Sequence, residues 1–278
     1  MNFDVAFGQY CEGDSILHRL DPRAKILMSL LYIVDVFLAK NVWAFALLTL
    51  FTLAMATVSQ IKPRILLRGL KPVIFIMIFT GIINIFWYQG APDAVPLVEW
   101  WIIKIYPAGI LNAVLIVLRV VMLIAGTSLI LTYTTTPLAL TDGLERLLSP
   151  LAKIKVPVHE FSLMMTIALR FIPTLIEETG KIMDAQKARG ASFSEGSLIK
   201  RAKALIPILV PLFASSFRRA DELAVAMECR CYRGGKGRTR MNVLKATFKD
   251  FAAVLIIIAL GAALVLLNKY TDAFALGF

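Results

Sequence analysis

Apolar residues run in long stretches along the chain, and the lengths of these stretches predict membrane-spanning helices. Residues 24–58 are nearly all apolar, yet one helix of this length would measure about 50 Å, far beyond the ~30 Å hydrocarbon core of a bilayer. Polar residues at positions 35, 40 and 41 divide the stretch into two helices. With three further stretches, the pattern predicts five transmembrane helices: Ala24–Ala39, Val42–Val58, Val73–Tyr88, Ile110–Tyr133 and Phe251–Leu267.

Residues 134–250 follow a different pattern. Their apolar runs are short and continue into charged sequence, so this segment is too charged to cross a bilayer and predicts two long cytoplasmic helices, Val158–Arg189 and Leu198–Arg230. The expected fold is therefore an all-α integral membrane protein with about five transmembrane helices and two long cytoplasmic helices. We expect three regions: 1–133 with four spans, 134–250 with the long helices, and 251–278 with the last span and an outer tail.

Composition agrees with a membrane protein. The chain is 58% hydrophobic and 18% charged, whereas a soluble domain is roughly 45–50% apolar and about 25% charged. A water-soluble enzyme of 278 residues is therefore disfavoured, and the lipid bilayer is the first expected partner. Three cysteines are too few for a framework of several disulfides.

The basic residues predict how the spans are oriented. Of the 30 Lys and Arg residues, 26 lie in the N-terminal segment, in the loop between the second and third spans, or between residues 137 and 250. Short cytoplasmic loops carry an excess of such residues. We therefore expect a multi-pass protein of the cytoplasmic membrane, with the N-terminus inside and the C-terminus outside.

Both long helices end in an arginine after an apolar half and an acidic pair. The first contains Glu177-Glu178 and ends near Arg189, and the second contains Asp221-Glu222 and ends near Arg230. The planar guanidinium can hold carboxylates or carbonyl groups of a partner. Alternatively, each arginine complements the negative end of its helix dipole. The presence of two such ends on adjacent helices favours a docking platform.

Motifs for other chemistry are absent from the sequence. No Gly-x-x-x-x-Gly-Lys-Ser/Thr phosphate loop occurs, so we expect no ATP hydrolysis by this chain. His18 and His159 are the two histidines, and Cys229 and Cys231 are interpreted as packing residues. We therefore predict no catalytic residues, no metal site and no cofactor. The basic run 230–240 is expected to contact anionic lipid headgroups and not nucleic acid.

Two charges lie within predicted spans. Asp35 and Arg119 are each some 13–16 Å from the ends of their spans, at about 1.5 Å per residue. Charges inside a membrane are costly and are usually paired or functional. One hypothesis is an ion pair between the first and fourth spans; the alternative is that Asp35 reaches toward the outer surface near Lys40.

Four short motifs carry a resemblance to a known family. They are Leu20-Asp-Pro-Arg-Ala-Lys25, Tyr133-Thr-Thr-Thr-Pro-Leu138, Ala168-Leu-Arg-Phe-Ile-Pro173 and Ala185-Gln-Lys-Ala-Arg-Gly190. From about Leu20 to Leu267 the chain resembles the transmembrane T component of energy-coupling-factor transporters, which are prokaryotic ATP-driven importers of vitamins and transition-metal ions.

This resemblance implies a non-catalytic energy-coupling scaffold of an importer of the ATP-binding cassette class. The implied partners are two ATPase subunits, one per coupling helix, and a membrane substrate-specificity component that captures the vitamin or metal ion. The family's docking signature is an Ala-Arg-Gly-like triplet at each of two helix tips. The corresponding residues are Ala188, Arg189 and Gly190, which match it, and Cys229, Arg230 and Cys231, which keep only the arginine.

Two other functions stay open from the residues alone. A membrane-embedded lipid-modifying enzyme would need a cluster of acids or histidines at one membrane face, and the chain offers Glu177, Glu178 and Asp184 on one helix without an aspartate-rich metal motif. A free-standing secondary carrier is disfavoured, because few ionisable groups lie within the spans and no inverted repeat is visible. Co-purified ATPases would distinguish a scaffold from an enzyme.

Overall fold

The structure of the chain is a computed structural model. It describes residues 10–11, 13–87, 98–100, 103–191, 193, 197–235 and 246–270. Within these ranges the helices are α1 (Pro22–Leu38), α2 (Val42–Ser59), α3 (Pro63–Leu70), α4 (Ile74–Trp87), α5 (Pro107–Thr127), α6 (Pro137–Leu148), α7 (Val158–Ala188), α8 (Leu198–Cys229) and α9 (Phe248–Tyr270). The strands β1 (Val98–Trp100) and β2 (Ile103–Ile105) form a short antiparallel hairpin that the apolar pattern did not predict.

The chain is an all-α membrane protein. Four helical stretches are long and apolar enough to span a bilayer: Val42–Ser59, Pro63–Phe86, Pro107–Thr132 and Phe248–Tyr270. The second of these begins ten residues before the predicted Val73, because α3, one 3-10 turn and α4 follow one another without a break. The first predicted span is α1, which has 17 residues and is the shortest of the five.

Two compact units make up the chain. One contains residues 6–143 and 243–278, and the other contains residues 144–242. The first unit includes the four span-length stretches and α1, and the second includes α7 and α8. The candidate docking residues therefore all belong to the second unit.

The start of α1 is fixed by polar contacts in the first unit. Asp21 is the N-cap residue, and its side chain accepts a hydrogen bond from the Arg23 backbone N–H at 2.9 Å. The Asp21 backbone N–H in turn donates to Asp250 Oδ1 at 2.7 Å, and Asp250 Oδ2 accepts from the Thr247 backbone N–H at 2.6 Å. Asp250 therefore caps α9 while it binds the residue that caps α1.

Lys25 joins two of the sequence motifs that carry the family resemblance. It is almost fully buried, and its Nζ donates to the backbone oxygens of Thr134, at 2.8 Å, and His18, at 3.1 Å. A buried ammonium group is tolerated when its protons are hydrogen-bonded. This contact explains the lysine at the end of the Leu20–Lys25 motif, because its side chain links α1 to the turn that follows α5.

The apolar core of the first unit surrounds Tyr32 on α1. The ring is fully buried, and its hydroxyl contacts Thr52 Oγ1 at 2.8 Å and donates to the Met122 backbone oxygen at 3.2 Å. Gly126 on α5 faces the ring so closely that a Cβ atom there would overlap it. The glycine therefore allows α1 and α5 to approach each other.

Candidate docking ends of the two long helices

The two long helices of the second unit end almost where the sequence predicts. α7 has 31 residues and α8 has 32, and each ends one residue before its arginine, which occupies the C-cap position. Both helices continue through internal prolines, at Pro173 in α7 and at Pro207 and Pro211 in α8.

Glu178 holds the two helices together. Its Oε1 accepts a hydrogen bond from Ser215 Oγ, and its Oε2 accepts from Arg219 Nη2 at 2.9 Å, which is also an ion pair. The Ser215 hydrogen bond, with the positive charges of Arg219 and Lys181, keeps the pKa of the Glu178 carboxyl below its usual range against a smaller opposing effect of burial. The carboxylate is therefore charged at neutral pH and ties α7 to α8.

The helices run in opposite directions past this ion pair. Residues 163–171 near the start of α7 share a cavity with residues 223–230 near the end of α8. The two arginines consequently lie at opposite ends of the helix pair. Arg189 follows Glu178 by eleven residues, and Arg230 follows Arg219 by eleven. At a rise of 1.5 Å per residue, each helix end extends about 16 Å beyond the ion pair.

α7 ends in a Schellman motif. The backbone N–H of Gly190 donates to Lys187 O at 2.9 Å, and the N–H of Ala191 donates to Gln186 O at 3.0 Å. Gly190 has φ of 87°, the left-handed conformation that glycine adopts without a steric penalty. This explains the glycine of the triplet, because it turns the chain away directly after Arg189.

α8 ends in the same motif although no glycine is present. The N–H of Cys231 donates to Glu228 O at 2.8 Å, and the N–H of Tyr232 donates to Met227 O at 3.0 Å. Cys231 has φ of 56°, so it takes the left-handed position that Gly190 takes on α7. The departure from the family triplet thus changes the residue and not the backbone shape.

The two ends are accessible and chemically similar. Each presents one guanidinium next to small side chains, and neither arginine forms an ion pair within the part of the chain that the structure describes. An exposed guanidinium on a rigid helix end can bind carboxylates or carbonyl oxygens of a partner. All six candidate docking residues are exposed: Ala188, Arg189, Gly190, Cys229, Arg230 and Cys231.

Comparisons with known proteins identify the family of the chain. The sequence profile of the family CbiQ, described as cobalt transport protein, matches residues 13–241. The energy-coupling factor transporter transmembrane protein EcfT of Clostridium kluyveri is 54% identical over 252 residues, which cover 91% of this chain and 92% of the relative. The EcfT protein of Bacillus subtilis is 48% identical over 264 residues, which cover 95% and 98%. The chain belongs to the EcfT family.

Membership of the EcfT family establishes the general role of the chain. It is a transmembrane component of an energy-coupling factor transporter, and such a component works within a complex of several parts. The EcfT relatives are named as transporter components and not as enzymes. The resemblance seen in the sequence motifs is therefore confirmed at the level of the family.

The ion pair expected between Asp35 and Arg119 is not formed. Arg119 Nη2 instead donates to the Ala39 backbone oxygen at 2.9 Å, and its guanidinium lies 5.3 Å from the centre of the Phe45 ring. The Asp35 side chain is buried and packs against Gly261 on α9. Position along a helix does not determine toward which neighbour a side chain points.

The contact between Glu178 and Arg219 was not predicted from the sequence, where Glu177-Glu178 stood only as the acidic part of a shared helix layout. The offset between two antiparallel helices is set by their packing, so the positions of these charges along the chain do not show that they meet.

Proposed function

We propose that this EcfT protein is the scaffold that couples two cytoplasmic ATPase subunits to a membrane substrate-specificity component. In this proposal, one ATPase subunit receives Arg189 and the other receives Arg230. The observation that carries the proposal is the pair of matching helix ends, each with an exposed arginine before a left-handed residue, at opposite ends of two antiparallel helices.

The helix pair is suited to transmit movement. The ion pair of Glu178 with Arg219 ties α7 to α8 between the two ends. When the ATPases bind and hydrolyse ATP, a shift of one docking end would therefore move both helices. ATP hydrolysis belongs to the partner subunits in this proposal, and the chain itself contributes positioning and mechanical coupling.

The transported substrate is proposed to be a vitamin or a transition-metal ion. The family profile is described as cobalt transport protein, which supports a small nutrient as cargo. Recognition of that cargo would belong to the specificity component. We further propose a prokaryotic cytoplasmic membrane location with the N-terminus inside and the C-terminus outside, supported by the distribution of the 30 Lys and Arg residues.

Charge reversal at the helix ends tests the docking role. Arg189→Glu and Arg230→Glu would place a negative charge where a partner accepts a guanidinium, and removing one partner of a buried charged pair costs roughly 3–5 kcal/mol. Each variant should lose ATPase subunits on purification and lose uptake, while the specificity component still binds its ligand. The matched control is Arg218→Glu, an exposed arginine of α8 away from both ends.

The outcomes distinguish the proposed coupling scaffold from the alternative function, a lipid-modifying enzyme. If both end variants retain the ATPases and transport at the wild-type rate, the docking role is wrong. If the wild-type chain purifies from its native membrane with no ATPase at all, the coupling scaffold is excluded and a lipid-modifying enzyme becomes the better account. If Arg218→Glu fails as completely as the end variants, general surface charge and not the helix ends explains the loss.

A further inference from the structure

A large cavity lies beside the end of α8, and most of its lining residues are not among the six candidate docking residues. It has a volume of about 1000 Å³ and is formed by the first half of α7, the last turns of α8 and the residues that follow α8. This volume lies at the upper end of the range for ligand pockets. All of the lining residues belong to the second unit of the chain.

Three arginines line this cavity. Arg170 comes from α7, Arg230 from the end of α8, and Arg233 from the segment after it. No acidic side chain is among the described residues that line the cavity, and none of the three arginines forms an ion pair within the described ranges. The cavity therefore concentrates positive charge without an internal counter-ion, which favours an anionic ligand.

Most of the remaining lining residues are apolar, with Thr166 and Tyr232 as the polar exceptions. Leu163 and Phe171 of α7 face the cavity together with Met227 of α8. On the same half of α7, Phe161 and Met164 are 58% and 61% exposed. Arginines next to exposed apolar side chains are typical of surfaces at the boundary between lipid headgroups and acyl chains.

We propose that this cavity binds the phosphate headgroup of an anionic phospholipid. Arg170 and Arg233 hold the phosphate by charge-assisted hydrogen bonds, and the apolar side of the cavity contacts the glycerol and the first acyl carbons. Arg230 reaches the same cavity from the docking end of α8. A bound headgroup therefore changes the charge beside one docking end, so the two ends of the helix pair differ in their sensitivity to membrane composition.

The test measures lipid binding by native mass spectrometry. The transporter complex is purified in neutral detergent and titrated with dioctanoyl phosphatidylglycerol, with dioctanoyl phosphatidylcholine, or with inorganic phosphate. The wild type should retain the anionic lipid and not the zwitterionic one. Arg170→Gln/Arg233→Gln should weaken that binding roughly thirtyfold, because each arginine near an anionic membrane surface strengthens binding about fivefold and the two factors multiply.

The matched control is Arg201→Gln/Arg218→Gln, which removes two exposed arginines of α8 outside the cavity. This control should bind phosphatidylglycerol within about twofold of the wild type, since it removes the same net charge elsewhere. Thermal unfolding midpoints of all variants are measured in the same detergent, and similar midpoints show that lost binding is not lost folding.

Several results would overturn the proposal. Equal loss of lipid in the control variant would mean that general basic charge, and not the cavity, binds the lipid. Inorganic phosphate that binds as tightly as the phospholipid would make this a site for a free anion. Unchanged lipid binding in Arg170→Gln/Arg233→Gln, with or without loss of the ATPase subunits, would exclude the cavity as a headgroup site.

Discussion

Gly190 and Cys231 occupy the same position in two helix-ending motifs of the same kind. Each is the first residue after the C-cap arginine, each donates its N–H to the carbonyl three residues earlier, and each has a positive φ, 87° for Gly190 and 56° for Cys231. A side chain in this conformation costs roughly 1–2 kcal/mol. The end of α8 therefore keeps the backbone shape of the end of α7 at an energetic cost.

Replacing Cys231 by glycine should stabilise the end of α8. Cys231→Gly is expected to raise stability by about 0.5–1 kcal/mol, because glycine takes the left-handed conformation without steric strain. Gly190→Ala should lower it by about 1 kcal/mol for the opposite reason. Thermal unfolding in detergent measures both changes, and Cys229→Ala, inside the helix, is the control. A destabilising Cys231→Gly would mean that the thiol makes a contact worth more than the strain.

The Glu178 ion pair should make stability depend on pH. Its pKa is lowered in the folded chain, so its contribution is present above the ordinary pKa of glutamate and is lost as the pH falls through the folded value. Glu178→Gln should therefore be less stable than the wild type at pH 7, and the difference should persist down to about pH 4.3, the ordinary pKa of glutamate, and shrink as the pH falls below it. Unfolding midpoints across this range measure the effect.

Glu177→Gln provides the control for this pH dependence, because Glu177 is the exposed neighbour on the same helix. It should leave the midpoint nearly unchanged at every pH, since exposed charges contribute little to stability. A constant difference between the wild type and Glu178→Gln over the whole range would show that the glutamate acts through packing and not through its charge.

The long helices could be predicted from sequence because their signals are local. The predicted bounds of α7 and α8 agree with the structure within one residue. The signals were apolar runs, charged helical sequence, and an arginine followed by Gly190 or Cys231. The start of the third span was harder. This span begins at Pro63 with the basic, amphipathic helix α3, which continues directly into apolar sequence. A prediction from apolar runs alone does not include residues of this kind.

Contacts between helices could not be predicted in the same way. The direction of a side chain around its helix depends on the packing of neighbours, which distance along the sequence does not encode. Arg119 accordingly binds the Ala39 carbonyl and not Asp35. The hydrogen bond from Lys25 to Thr134 was not predicted for the same reason, although both residues belong to motifs that carry the family resemblance.

Two glycines should respond in opposite ways to alanine. Gly126→Ala places a methyl group where the Tyr32 ring lies, so we expect the free energy of unfolding to fall by roughly 1–3 kcal/mol. The methyl group added by Gly180→Ala, in the interior of α7, meets no atom within 4 Å. This variant should be more stable by about 0.5–1 kcal/mol, because alanine has the higher helix propensity. Unfolding in detergent compares the two. Equal tolerance at both positions would contradict the close approach of α1 and α5.

Cysteine labelling tests the proposed orientation. In a variant with all three natural cysteines replaced by serine, Lys40→Cys, between α1 and α2, should react with a membrane-impermeant maleimide added outside intact cells. Reintroduced Cys229, which is exposed on α8, should react only after the membrane is permeabilised, because the basic segment around it is proposed to be cytoplasmic. Labelling of Cys229 in intact cells would contradict the proposed orientation of the chain.

Cross-linking from the two helix ends tests the central claim most directly. A photo-reactive benzoylphenylalanine is placed at Lys187 or at Glu228, each exposed and two residues before its arginine, and the complex is irradiated in native membranes. We expect one adduct with an ATPase subunit from each position, and none from a matched probe at Arg218. Two results would contradict docking of the ATPases on the Arg189 and Arg230 ends. One is adducts with membrane components alone, and the other is no protein adduct from either position.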